Sequence, residues 1–163
     1  MQQFHMQQEA KQMGLTLSEF LPYRLNCLSE AVSQEIKPIY RDHFGLNRPE
    51  WRVLVALADL GTATAKEVGA HSAQHKTRIS RAVRALEQRR WLTRDPDPND
   101  RRSEMLTLTA AGHRAYCDLV GPMRDRETRI LERLSPEDRD ALGQALSALE
   151  DALGLAATRG PGR

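Results

Sequence analysis

The chain has 163 residues, with 24 basic and 22 acidic side chains and a formal net charge of +2. That length suits one domain, or one domain with an oligomerisation extension, and it is enough to bury a core without staples. Hydrophobic residues make up 40% of the chain and aromatic residues 5%, which excludes a disordered chain and disfavours a stacking platform for single-stranded nucleic acid. No apolar run reaches about 20 residues and no signal-peptide core is present, so we expect a cytoplasmic protein without a membrane partner.

The charge is unevenly distributed along the chain. Between Ser72 and Ser103, nine basic residues stand against four acidic ones, a local excess of +5. The rest of the chain must then carry −3. A basic segment within a mildly acidic remainder is typical of a nucleic-acid-binding surface.

The first part of the chain predicts a loose arm followed by a long helix. Residues 1–16 are polar and rich in glutamine, which indicates a poorly ordered arm. Apolar residues then recur at three- and four-residue steps over residues 22–43, which predicts a helix. Pro38 is expected to kink this helix or to end its regular hydrogen-bond ladder.

Two shorter helices come next. The second helix is predicted over residues 48–60, because a broad apolar face runs through it and Gly61 follows as a helix breaker. The third is predicted over residues 65–70. Thr64 and Glu67 form a capping-box pattern at its start, which fixes the place where it begins.

A fourth helix and two strands occupy the basic segment. The helix is predicted over residues 75–90, with Ile79 and Val83 on its buried stripe. Residues 91–94 and 104–108 are predicted as short strands, joined by a loop rich in Pro, Asp and Asn. We therefore expect a β-hairpin with a basic tip.

Two further helices follow the hairpin. Thr109 is expected to cap a helix that ends near Leu134, and Ser135 followed by Pro136 and two acidic residues is a strong helix start. The last helix carries an apolar stripe too long for a helix with little domain left to cover, which favours self-association. The stripe consists of Leu142, Ala145, Leu146, Leu149, Ala152 and Leu153.

This order of elements is typical of a winged helix-turn-helix. A helix fits the major groove of DNA, where each base pair presents a distinct pattern of donors and acceptors. Residues 74–84 offer polar and basic side chains on one face, and the hairpin tip can reach the adjacent minor groove, where arginine is favoured. The residues predicted to contact DNA are Gln74, Lys76, Thr77, Arg78, Ser80, Arg81, Arg84, Arg94, Asp100, Arg101 and Arg102.

The alternative interpretation of the basic helix is an ordinary solvated surface. A generic charged helix mixes signs at four-residue spacing. Residues 71–86 instead contain four cations and no acid. This one-signed pattern favours contact with a polyanion over simple solvation.

Four stretches of the sequence resemble the MarR family of transcription regulators, over about residues 20–155. They are LPYRL at 21–25, PEWRVL at 49–54, KTRISRAVRALEQRRWLTR at 76–94 and DPNDRRSEMLTLTAAG at 97–112. The last contains Asp100-Arg101-Arg102-Ser103, similar to the family's Asp-x-Arg-Ser wing signature. The resemblance implies a homodimer with interlocking terminal helices on a pseudo-palindromic operator. It also implies repression that a small ligand or oxidation relieves.

The resemblance also implies roles for single residues. Arg102 matches the wing arginine that enters the minor groove, and Asp100 matches the acid that holds it, for which we expect a bidentate pair between the two side chains. Ser80 and Arg81 match the Ser-Arg pair of the recognition helix. The chain departs from the family at residues 72–75, where Ser-Ala-Gln-His replaces the common Leu-Gly-Leu-Asp, so the turn before the fourth helix is more polar than usual.

The effector is predicted from the same resemblance. In relatives the pocket lies between the dimer helices and the DNA-binding lobe and often takes aromatic carboxylates or phenols, so we expect a small aromatic carboxylate and no cofactor. Such a ligand needs a cation, an apolar slot and a hydrogen-bond donor. Trp51 also suits the core, and Arg24 and Arg52 also suit surface ion pairs. The candidate effector residues are Tyr23, Arg24, His43, Trp51, Arg52, His113 and Tyr116.

Redox and zinc sensing remain as alternative effector chemistries. The reactive cysteine of oxidation-sensing relatives stands nearer the start of the first helix than Cys27, so we expect Cys27 to be reduced and to pack as a small hydrophobe. His113 and Cys117 stand four apart on one helix face, a spacing that can share a metal. The zinc alternative uses Cys27, His43, His113 and Cys117.

The pattern favours a ligand-responsive DNA-binding repressor over two other classes of protein. An enzyme is not indicated, because the chain contains no Gly-rich phosphate loop, His-Glu-x-x-His helix or Gly-x-Ser-x-Gly elbow. A helical protein-interaction module would not need a helix with cations only and an arginine-tipped hairpin.

The sequence therefore predicts a mainly α fold with a small β-hairpin wing, that is, a winged helix-turn-helix with N- and C-terminal dimerisation helices. The expected partners are double-stranded DNA, a second copy of the chain and a small-molecule effector. The predicted domains are a flexible arm at 1–20, a dimerisation helix at 21–46, the DNA-binding domain at 47–109, dimerisation helices at 110–157 and a tail at 158–163.

Overall fold

The computed structural model describes residues 15–98, 100 and 102–155 of the chain. Residues 1–14 of the predicted arm and the predicted tail lie outside the described residues. The chain divides into two compact units, Met1–Glu35 and Ile36–Arg163. Within the described ranges, no helix combines the length and the apolar character that crossing a membrane requires.

The described part of the first unit contains a short turn and most of helix α1, Leu21–Pro38. Pro22 lies in the first turn of the helix, where its missing N–H leaves no hydrogen bond unmade. No residue of α1 is buried within the chain. Cys27 is exposed, so the expectation that it packs as a small hydrophobe is wrong for the single chain. The large apolar side chains that this unit exposes are Leu15, Leu17, Phe20, Leu21, Tyr23, Leu25, Leu28 and Val32.

The proline in α1 ends the regular helix, as predicted. Beyond Pro38 the backbone continues as a π-helical segment, Ile39–His43, because proline offers no N–H to the ladder and the turn widens around it. Ile39 and Tyr40 enter the core. Gly45 then adopts a φ of +60°, a conformation that glycine reaches without a steric penalty, and the chain turns into the next helix.

Helices α2 (Arg48–Leu60) and α3 (Ala65–His71) both begin with a capping box. The Thr64–Glu67 box was predicted. The box of α2 was not: Asn47 Oδ1 accepts the Glu50 N–H at 3.0 Å, and Glu50 Oε2 accepts the Asn47 N–H at 3.0 Å. This reciprocal bonding explains why Glu50 is tolerated in the core at 9% exposure.

Helix α4, Lys76–Gln88, packs on α2 and α3 through one apolar face. Ile79 and Val83 are buried, as the periodicity predicts. The helix begins one residue later than predicted, because His75 is extended and occupies the capping position. Ala73, two residues earlier, has a φ of +51°, which turns the chain sharply from α3 into α4.

The sheet has three strands rather than the two that the sequence predicts. Strands β2 (Leu92–Pro96) and β3 (Glu104–Leu108) form the expected hairpin, but β1 (Thr62–Thr64) pairs antiparallel with the other edge of β3. The order is β1-β3-β2, with Ala63 opposite Leu106 and Leu92 opposite Leu108. The hairpin with its loop at 97–103 is called the wing below.

Helices α5 (Ala110–Leu131) and α6 (Pro136–Ala152) complete the described chain. Thr109 and Ser135 cap them, as predicted, although α5 ends three residues before the predicted Leu134. Ala115 and Leu119 of α5 join the core. No residue of α6 is buried. Its exposed large apolar side chains are Leu142 and Leu146, and Leu153 follows its end.

Candidate nucleic-acid interface

The outer face of α4 carries positive charge only over residues 76–84. Its buried side is apolar, which leaves the polar residues of the KTRISRAVR stretch in solvent. The charged groups of these exposed side chains make no hydrogen bond or ion pair with any described residue, so their charge is available to a partner. The predicted DNA-contacting residues that lie on this face are Lys76, Thr77, Arg78, Ser80, Arg81 and Arg84.

Gln74 was predicted to belong to this face, and the structure corrects that placement. It lies in the turn before α4 and is half-buried. Its Nε2 donates to Ser72 Oγ at 3.2 Å and to the Pro49 carbonyl at 3.4 Å. Ser72 in turn donates to the Val68 carbonyl at 2.6 Å. In the polar turn at 72–75, the side chains of Ser72 and Gln74 therefore connect α3 to α2.

The tip of the wing is closed by backbone hydrogen bonds. Asp97 N–H donates to the Ser103 carbonyl at 3.1 Å, and Ser103 N–H donates to the Asp100 carbonyl at 2.9 Å. Asp100 and Arg102 are both exposed. Arg101 lies outside the described residues, so its predicted phosphate contact stays a prediction.

Asp100 holds Arg102 by a different group from the one predicted. Asp100 Oδ1 accepts the backbone N–H of Arg102 at 2.9 Å, a turn in which an Asp side chain bonds the backbone two residues on. A bidentate pair between the two side chains was expected, but the Asp100 and Arg102 side chains do not bond each other in the structure. The Arg102 guanidinium is therefore free to reach out from a tip whose backbone is fixed.

Arg94 was predicted to contact DNA, but its guanidinium is occupied within the protein. Nε and Nη2 lie 3.1 and 3.0 Å from Glu87 Oε2, and Nη1 lies 3.0 Å from Glu104 Oε2. Partial burial lowers the pKa of Arg94, but hydrogen bonds and charge attraction from Glu104 and Glu87 outweigh it and raise the pKa overall. We call these three residues the Arg94 cluster.

A second arginine of the basic segment is also used inside the molecule. Arg89 Nη1 donates to the Phe44 carbonyl at 2.9 Å and Nη2 to the Gly45 carbonyl at 2.7 Å, and the guanidinium lies 5.2 Å from the centre of the Trp91 ring. It therefore joins the end of α4 to the segment that precedes α2. Sequence reasoning counted Arg89 only as part of the basic excess, because the carbonyls it binds lie 44 and 45 residues away.

Two of the predicted effector residues lie together at a cavity. Trp51 and Arg52 line a recess of about 220 Å³, together with His71, which was not predicted. The Arg52 guanidinium lies 5.8 Å from the Trp51 ring centre, and burial, with the nearby charge of Arg48, lowers the pKa of Arg52. Trp51 also stacks on Tyr40 with ring centres 5.8 Å apart. The recess thus combines a cation with an aromatic wall.

The other candidate effector residues do not line this recess. His43 and His113 are exposed, and Tyr116 packs against the core. In the first unit, Tyr23 and Arg24 are exposed on α1. A hydrogen bond with Cys27 raises the pKa of the Tyr23 phenol.

The zinc alternative receives no support from the part of the chain that the structure describes. Among these residues, no three His, Cys, Asp or Glu side chains are grouped so that they could hold a metal ion. Cys27 and Cys117 are exposed free thiols, and neither is in a disulfide. His71, which lines the recess, lies 3.3 Å from Asp59 Oδ2.

The interface residues fall within the part of the chain that a known family covers. The family model described as MarR family matches residues 44–103, which run from the segment before α2 to the end of the wing loop. The crystal structure of the MarR family transcriptional regulator SPO1453 from Silicibacter pomeroyi DSS-3 is 30% identical in sequence, with a TM-score of 0.75, over 86% of this chain and 99% of that one.

Two more distant structures share the fold. Sco3205 from Streptomyces coelicolor, solved in complex with DNA, is 23% identical over 86% of this chain and 94% of its own, with a TM-score of 0.73. BpsR from Bordetella bronchiseptica, whose DNA binding is regulated by 6-hydroxynicotinic acid, is 23% identical over 85% of this chain and 98% of its own, with a TM-score of 0.74. The chain therefore belongs to the MarR family of transcriptional regulators, DNA-binding proteins with a winged helix fold.

Proposed function

We propose that the protein is a homodimeric repressor that binds a pseudo-palindromic operator and is released from it by a small aromatic acid or phenol. The observation that carries this proposal is the exposed cation face of α4 next to the wing, with Arg102 on a tip that its own backbone closes. A helix with this face suits the major groove, and an extended arginine suits the narrow minor groove beside it.

The dimer is supported by two helices that have no fully buried residue in the single chain. Helices α1 and α6 expose rows of leucine, and exposed apolar surface of this extent marks an interaction site. A second copy of the chain is the occupant that also explains the operator symmetry, since each subunit would supply one α4 and one wing to a half-site.

The small-molecule effector is supported by the chemistry of the recess at Trp51 and Arg52. An arginine beside an aromatic ring offers charge and stacking to an aromatic carboxylate. BpsR, which has the same fold, responds to an aromatic acid, 6-hydroxynicotinic acid. Tyr23, Arg24, His43, His113 and Tyr116 stay predicted effector residues.

Binding to DNA is tested first. A duplex selected by the protein from a random library is titrated by fluorescence anisotropy over a range of salt, beside a scrambled duplex. A repressor retains the selected duplex with a steep loss of affinity as salt rises, whereas a helical protein-interaction module binds neither duplex. Equal binding to both duplexes at every salt concentration would contradict sequence-specific binding.

The dimer and the effector are tested separately. Leu146→Glu places a charge in the exposed stripe of α6 and is expected to shift sedimentation towards the monomer and to weaken duplex binding, while Gln144→Glu on the opposite side of α6 leaves both unchanged. For the effector, aromatic acids are screened for a rise in melting temperature and for release of the labelled duplex. Release by divalent zinc or by peroxide, but by none of the acids, would favour the alternative chemistries.

A further inference from the structure

The Arg94 cluster joins three elements of the DNA-binding lobe. Arg94 lies on β2, Glu104 is the first residue of β3, and Glu87 lies in the last turn of α4. One guanidinium therefore contacts both strands of the wing and the helix beside them, with three N–H donors at 3.0–3.1 Å from two carboxylates. The planar guanidinium has donors on several sides and can therefore bond both carboxylates at once, an arrangement that the ammonium group of a lysine does not match.

Direct contact between Arg94 and a phosphate is disfavoured by this geometry. The side chain is 30% exposed, and its donors already face carboxylate oxygens. A phosphate would have to replace an ionic hydrogen bond that is already made, and it would meet the charge of the same carboxylates. The cations of α4 have no such competitors among the described residues.

We infer that Arg94 is a positioning residue: it fixes the wing to the end of α4 and so sets the distance between the major-groove and minor-groove contacts on the operator. Glu87 is the only acid in α4, and Arg94 also neutralises it. The inference concerns the geometry of DNA reading and holds for a repressor or an activator alike.

A positioning role predicts a change in DNA affinity opposite to the change that simple electrostatics predicts. Removing a carboxylate near DNA reduces repulsion of the phosphates and should tighten binding everywhere. If the carboxylates of the cluster position the wing, Glu87→Ala and Glu104→Thr should instead weaken binding to the selected duplex by about tenfold, the size of one charge-assisted hydrogen bond. Binding to scrambled duplex should stay unchanged or become tighter.

The matched control is Asp95→Thr. Asp95 is the next residue on β2, is exposed, and lies outside the cluster. Asp95→Thr removes one negative charge and introduces threonine on a wing strand, as Glu104→Thr does, so this variant reports the electrostatic effect alone. We expect it to leave the ratio of selected to scrambled affinity unchanged.

A second readout separates positioning from general stability. Arg94→Lys keeps the charge but loses the planar group. Selection from a random library with this variant should relax any preference at the flanks that the wing contacts, while the preferred major-groove bases stay the same. Melting temperature, measured in parallel, identifies any variant that fails to fold.

Either of two results would overturn the inference. One is that Glu87→Ala and Glu104→Thr bind the selected duplex as tightly as Asp95→Thr does. The other is that Arg94→Gln lowers the slope of log K against log salt by about 0.9, which is the signature of one lost phosphate contact. Failure to select any duplex with the wild-type protein would count against sequence-specific binding, and not against the positioning role.

Discussion

Gly112, at the start of α5, is the position where a single added methyl group is expected to cost most. Its N–H donates to Thr109 Oγ1 at 3.1 Å, and Thr109 N–H donates to the Trp91 carbonyl at 3.0 Å. A Cβ at Gly112 would lie 2.0 Å from that same carbonyl oxygen. The turn between α4 and the wing therefore approaches α5 so closely that only glycine fits at position 112.

The magnitude of the Gly112→Ala change follows from three effects. Alanine gains about 1 kcal/mol of helix propensity over glycine. Overpacking costs about 1–3 kcal/mol, and the upper end applies because the obstacle is backbone that cannot rotate away. The displaced carbonyl also loses its bond from Thr109, worth about 1 kcal/mol. The net loss in the free energy of unfolding is about 3 kcal/mol, which lowers the melting temperature by about 6–12 °C.

Thermal unfolding followed by circular dichroism measures this loss, with all variants at one protein concentration because assembly shifts the midpoint. Gly121→Ala is the control, since it lies in the same helix and a Cβ there meets nothing within 4 Å. It should gain up to about 1 kcal/mol. If Gly112→Ala melts at or above the wild-type temperature, helix propensity outweighs the contact with Trp91 and the reasoning is wrong.

Three further predictions concern stability and DNA binding. Arg90 has a φ of +59°, so Arg90→Gly should relieve strain and raise the urea midpoint by the equivalent of about 1 kcal/mol; an unchanged or lower midpoint would argue against strain there. Hydrogen bonds from Thr64 lower the pKa of Glu67. The wild type should therefore be more stable than Glu67→Gln at neutral pH, and this difference should vanish as pH falls through the lowered pKa. A constant difference in the free energy of unfolding from pH 7 to 2 would contradict this prediction. Arg102→Ala should weaken operator binding by about 10- to 100-fold while leaving the preference for the major-groove bases intact, and wild-type affinity in a titration would disprove a minor-groove role.

Local sequence signals explain why the first and last residues of some elements were predicted correctly. The bounds of α2 and β3 agree with the structure, because α2 is stopped by Gly61 and β3 is bounded by a loop and by the Thr109 cap. Strand β1 was missed for the opposite reason. Three residues carry no detectable alternation, and their strand conformation depends on pairing with Thr107 and its neighbours, more than 40 residues away.

The interface was predictable in its charge but not in its internal contacts. The cation face of α4 follows from helical spacing, and the structure confirms that it is exposed. The contacts of Arg94 were missed because its partners, Glu87 and Glu104, come from a helix and from another strand, and sequence spacing does not show that they meet. Asp100 was predicted to pair with the Arg102 side chain, but the tight loop brings its carboxylate to the backbone N–H instead.

The one-signed face of α4 also has a consequence for how the protein finds its site. Charge attracts the phosphates of any duplex, so a face that binds DNA as proposed would hold the protein on random DNA as well as on an operator. Such loose binding lets a protein slide and hop along the chromosome, which shortens the search. Random sites also compete with the operator for the protein, since a genome offers about a million or more of them for each operator. In the proposed complex, the contacts that recognise bases, brought into register by the wing, must therefore outweigh the attraction that speeds the search.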